Sequence, residues 1–181
     1  MRVLTMIRFY GFKIVLWAAL GSSLGCSSSS LPGTALGTFN VTGTLGTNTC
    51  GSGLNASNPY DFTVQMSIDG TTLYWETSDG VELSATMSST TAATITSTQT
   101  ANADATEAGA GACDLTDVET IAIKLNTATS PSAFTGSLTY SFSAATGISS
   151  TNNCTDQLAS SGGSYASLPC TATYSLSATK Q

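Results

Sequence analysis

From about residue 36 onward, apolar and polar side chains alternate along the chain. In "YDFTVQMSID", Tyr60, Phe62, Val64, Met66 and Ile68 fall on one face, and Asp61, Thr63, Gln65 and Ser67 on the other. A period of two is that of a strand with one buried face. Asp69-Gly70 follows, a dipeptide that favours a type I′ hairpin. Such a turn pairs Ile68 with Thr71 and brings Leu73 and Trp75 onto the inner face. "SDG" at 78–80 fits a three-residue turn with Gly80 left-handed, pairing Thr77 with Val81. That turns Val81, Leu83, Ala85 and Met87 inward, and Glu82, Ser84 and Thr86 outward. Agreement of successive turns on one face specifies the register.

The pattern predicts further strands through Phe39, Val41 and Leu45; Ala93 and Ile95; Ile121, Ile123 and Leu125, in a strand that Glu119 begins; Phe134, Leu138, Tyr140 and Phe142; and Ala172, Tyr174 and Leu176. The expectation is an all-β domain, a single antiparallel meander of eight strands. A closed up-and-down β-barrel is favoured over a β-sandwich, because eight strands is about where such a sheet closes on a filled interior. A meander sends its connections alternately to two ends. The long ones, 47–59, 100–117 and 145–169, share one end with "SDG". The short ones at 69–70, 88–91 and 127–132 share the other.

The N-terminus differs in kind. Arg2, Arg8 and Lys13 precede the apolar run "IVLWAALGSSLG", Ile14 to Gly25. A charged start, a short apolar stretch and small residues at a cut point make a secretory signal. The run is shorter than the roughly 20 residues that span a bilayer. "LGC" followed by "SSSS" resembles the lipobox of bacterial lipoproteins, with Ser23 where that family prefers Leu and Leu24 one place later. The resemblance covers residues 1–26. It implies a signal peptide over 1–25, cleavage before Cys26, and covalent lipid, palmitate included, on Cys26. It implies lasting membrane attachment in the bacterial cell envelope. Ser27, where an Asp marks inner-membrane retention, points to the outer membrane. A Ser-rich tether, 26–35, would join the anchor to the domain at 36–181.

Cysteine parity points the same way. Of Cys26, Cys50, Cys113, Cys154 and Cys170, a lipidated Cys26 leaves four for disulfides in an oxidising compartment. Proximity in sequence favours Cys154–Cys170 with Cys50–Cys113. A closed barrel offers a rival, since its first and last strands are neighbours: Cys50–Cys170 with Cys113–Cys154.

Charge narrows the partners. Lys124 and Lys180 are the only cations after residue 25, against eleven acids, a side-chain charge of −9. With no basic patch, nucleic acid is not expected as a partner. The chain has no histidine, so a Ser-His-Asp triad and His-based metal sites are excluded. Asp104, Glu107, Asp114, Asp117 and Glu119 crowd one segment. The first four are weak calcium candidates, without EF-hand spacing, and a solvated acidic loop explains them as well. Glu76 and Glu82 could form a hydrolytic carboxylate pair but point outward. No cofactor beyond the lipid and no catalytic set is expected. The functional expectation is a non-enzymatic binding or structural module presenting its long loops away from the membrane, the partner being a protein, a glycan or a small apolar ligand. The alternative is a lipocalin-like carrier of an apolar ligand, a resemblance in strand number alone, since "GTF" at 37–39 lacks the Trp of that family's motif. A carboxylate-dependent glycan hydrolase comes third.

Overall fold

The computed structural model describes residues 31–103, 113–144 and 165–181. They form β1 (Thr34–Asn48), β2 (Tyr60–Asp69), β3 (Thr72–Thr77), β4 (Glu82–Thr86), β5 (Ala92–Ala103), β6 (Cys113–Leu125), β7 (Ala133–Ala144) and β8 (Cys170–Lys180). All pairs are antiparallel, in the order β4-β3-β2-β1-β8-β7-β6-β5. The expected meander is therefore present, with its first and last strands hydrogen-bonded side by side. A single bridge, Met87 to Ala93, joins β4 to β5. The result is a nearly closed barrel with one loose seam.

Alternation decides which side chains enter. Phe39, Val41, Val64, Met66, Leu73, Trp75, Ile95, Ile121, Leu125, Phe134, Leu138 and Leu176 fill the interior. The rings of Phe39 and Phe134 lie 5.5 Å apart, and Trp75 meets Phe134 edge-on at 5.8 Å. Gly136 leaves room where β7 crosses β6, because a Cβ there would run into the Ala122 carbonyl.

Three local expectations are corrected. At the first hairpin Asp69 pairs with Thr72 and Ile68 with Leu73, so the turn residues are Gly70 and Thr71, and Thr71 is exposed. Gly70 has φ 59° and Thr71 has no positive φ. That suits a turn with glycine first, whereas type I′ needs positive φ at both central positions. The inner face is unchanged, because the register moves by two residues. At the second turn Thr77 N–H donates to Val81 O as expected, yet Val81 is 39% exposed and Leu83 half-buried. Beyond the Met87–Ala93 bridge no described strand ladders with the seam side of β4, so Val81 stays open and Leu83 packs only partly against the core. Thirdly, β6 begins at Cys113 rather than Glu119, and β5 runs on to Ala103. Half of the segment read as a loop over 100–117, residues 100–103 and 113–117, is strand.

The two ends are unlike. Gly70-Thr71, residues 87–91 and 126–132 turn at one end; 49–59, 78–81, the end of β5, the start of β6, the end of β7 and the start of β8 lie at the other. The N-terminal segment reaches the barrel at the short-turn end, where Ser67 Oγ donates to Pro32 O at 2.6 Å. Leu31 is already buried and β1 starts at Thr34, inside the stretch read as tether. Residues 1–30, with the expected signal peptide and Cys26, lie outside the described residues, as do Asp104, Glu107 and Cys154.

Candidate functional site

At the long-loop end the interior changes character. Residues of β6 with the parity of Ile121 and Ile123 are Glu119, Asp117 and Leu115, so two carboxylates share the inner face. In register, Glu119 stands between Ser97 on β5 and Tyr140 on β7, and Asp117 between Gln99 and Phe142. Tyr60 from β2 and Tyr174 from β8 complete the layer, their rings 5.7 Å apart. They meet over Gly43 of β1, where a Cβ would approach the Tyr174 ring at 3.4 Å and Tyr60 O at 3.3 Å. Tyr140 lies edge-on to Tyr174 at 6.5 Å, with Tyr60 close enough to influence its hydroxyl.

A second small core roofs this layer: Cys50, Leu54, Leu115, Phe142, Tyr165, Cys170 and Ala172. Phe142 and Tyr165 pack with centroids 5.3 Å apart. The disulfide in it is Cys50–Cys170, with Cα atoms 4.9 Å apart. This corrects the favoured Cys154–Cys170 and Cys50–Cys113 pairing. The reason is the β1–β8 ladder: Thr49 N–H donates to Thr171 O at 2.8 Å, and Thr171 N–H to Thr49 Oγ1 at 2.8 Å. Hydrogen-bond register, not sequence distance, brings the two sulfurs together.

Burial sets the electrostatics. It lifts the Asp117 carboxyl to about 6. It lifts Glu119 to about 7, with the Asp117 charge adding to the effect. Desolvation favours the neutral acid, and a like charge nearby acts in the same direction. Tyr140 is raised by burial first and then by Glu119, and Tyr165 is raised to about 12 by burial and then by Asp117. Asp117 Oδ1 is buried with no hydrogen-bond partner among the described residues. The lysines offer no relief, because Lys124 pairs with Ala92 and Lys180 with Phe39, both towards the short-turn end. Both acids remain only partly buried, so water reaches them. The layer can therefore exchange protons near neutral pH and offer hydroxyl and carboxyl groups to a ligand.

The candidates from sequence are scattered. Asp114 and Asp117 lie three apart on one strand, so they face opposite sides of the sheet. Among the described residues no three His, Cys, Asp or Glu side chains are grouped to hold a metal ion. Glu76 and Glu82 are direct cross-strand partners on the outer face. Trp75 is wholly buried. The residues that sequence reading missed are Glu119 as an inward group, Tyr60, Tyr140 and Tyr165. The parity of "CDLTDVETIAIKL" carried the signal for Glu119 and Asp117, had the alternation been continued through the acids. Comparisons with protein-family models, with curated proteins and with solved structures find no match for this chain.

Proposed function

We propose that the protein is a lipid-anchored cell-envelope binding module, held by Cys26 and presenting the disulfide-braced, long-loop end of its barrel away from the membrane. One observation carries this reading: the chain reaches the barrel at the short-turn end, and the Cys50–Cys170 bridge and longer connections lie at the opposite end. A tether at one end leaves the other free, and binding residues concentrate on loops held by a rigid scaffold. The disulfide also fits an oxidising compartment.

An apolar cargo inside the barrel has less support. The lower interior is occupied by packed rings, and the upper layer is lined by carboxylates and tyrosines. Two depressions lie instead on the outer face, one along Thr94, Ala122, Lys124 and Thr135, the other along Thr38, Thr63, Gln65 and Glu76. Hydrolysis by Asp117 and Glu119 is less well supported too. Glycosidases hold their two acids on either side of the scissile bond, and these two stand side by side on one strand.

The test is acylation. Cys26→Ser should abolish incorporation of labelled palmitate and release the protein into the soluble envelope fraction. Unchanged membrane fractionation of that variant overturns the reading.

A further inference from the structure

β4 and β5 approach each other at the Met87–Ala93 bridge without forming a ladder. β5 is twelve residues long and β4 five. Past the Met87–Ala93 bridge, no described strand pairs with the free side of β5. The direction of its backbone groups follows from two bonds. Leu125 N–H donates to Thr91 O, and Ser88 N–H donates to Ala92 O, each at 2.8 Å. Odd-numbered residues thus turn their N–H and C=O to β6, and even-numbered ones to the seam. Thr96, Thr98 and Thr100 present donors and acceptors there that find no partner among the described residues.

Natural edge strands are guarded by charges, prolines or bulges. The stretch "AATITSTQTANA" contains no charged residue and no proline. The flanks are unusual as well. Val81, 39% exposed, is the one large apolar side chain left open among the described residues, and half-buried Leu83 lies beside it. On β5 Gln99 has inner-face parity yet is exposed. Among the described residues the barrel wall is therefore incomplete here, with an apolar lip on one side and a hydrogen-bonding edge on the other.

Charge identifies the occupant. On the outer face Glu76 and Glu82 stand directly opposite each other across β3 and β4. Like charges so placed repel, and both lysines of the domain lie towards the other end. A second copy of this chain would bring the same acids against one another. We propose that the β4–β5 seam accepts an extended basic segment of another polypeptide as an added strand. Its backbone pairs with Thr96, Thr98 and Thr100. Its inward residues are apolar and cover Val81 and Leu83; its outward residues are Lys or Arg and face Glu76 and Glu82. This is strand addition, in which main-chain bonds supply affinity and alternate side chains supply specificity. The proposal rests on the reading of the protein as a binding module but not on the anchor.

The probe is a fluorescein-labelled ten-residue peptide alternating Val and Lys, titrated by anisotropy into the full-length protein in non-ionic detergent. Saturable binding that weakens with salt is expected, with no binding of the Val-Glu counterpart. Thr98→Pro removes a seam-facing N–H without touching the β6 ladder, a tolerated place for proline. It should weaken binding by about tenfold, the worth of roughly one good hydrogen bond. Glu76→Gln with Glu82→Gln should weaken it similarly. Should Thr98→Pro fail to fold, Thr98→Lys keeps the backbone and should repel the peptide. Wild-type affinity in a folded Thr98 variant overturns the proposal, as does equal binding of the acidic peptide. A dimer in sedimentation that Thr98→Pro dissolves also overturns it, by showing a second copy in the seam. Failure of Cys26→Ser to release the protein would leave these titrations unaffected, so the two readings fail separately.

Discussion

Cys50 and Cys170 join the residue after next beyond β1 to the first residue of β8, across 120 positions of sequence. The bridge locks the pair of strands that closes the barrel and braces the layer above Glu119. On a chain-entropy account a loop of that size is worth about 4 to 5 kcal/mol. Cys50→Ser with Cys170→Ser should lower the urea midpoint accordingly. Non-reducing peptide mapping should recover a fragment joining 50 to 170, and recovery of 154 joined to 170 in its place would refute the pairing.

Asp117 and Glu119 should make stability fall as pH rises. Their native pKa values, about 6 and about 7, lie above the ordinary 3.8 and 4.5. Between those limits the native state holds more protons than the unfolded one, so each upward step in pH favours unfolding. Urea unfolding at pH 5 should therefore show a higher midpoint than at pH 8. Glu119→Gln should flatten the difference, and an unaltered slope in that variant would place the carboxyl in water.

The seam predicts unequal costs for two leucines of the same face. Leu73→Ala, in the packed interior, should cost about 2 to 5 kcal/mol. Leu83→Ala, half-buried at the β4–β5 opening, should cost at least about 1 kcal/mol less, because the site is already partly solvated. Chemical denaturation of the two variants checks this, and equal costs would mean that β4 is closed against β5.

Gly136 should not accept a side chain. Its Cβ would collide with the Ala122 carbonyl in the neighbouring strand, and backbone moves less readily than a side-chain tip. Gly136→Ala should destabilise by about 1 to 3 kcal/mol, as overpacking does. Exposed Thr135→Ala, one residue away, should stay within about 0.5 kcal/mol. Thermal melts of the pair decide it.

Alternation by itself determined the fold class, the inner face of every strand and the two unlike ends. A period of two is a local property, and turns such as Ser78-Asp79-Gly80 carry their own geometry in their residue types. The same locality explains where reading stopped. The inward parity of Glu119 and Asp117 was present in the sequence, but acids are ordinarily solvated, and only the walls supplied by Tyr60, Tyr140 and Phe142 turn them into half-buried groups. Sequence proximity offered Cys154 to Cys170. The bridge to Cys50 was settled by the β1–β8 ladder, whose partners are more than a hundred residues apart. Val81 has the parity of a core residue, and whether a core position is covered depends on the strand beyond it. At the β4–β5 seam the described residues supply no such strand. Tertiary structure alone decides these three matters, because each depends on what a distant strand places beside a residue and not on the residue or its neighbours in sequence.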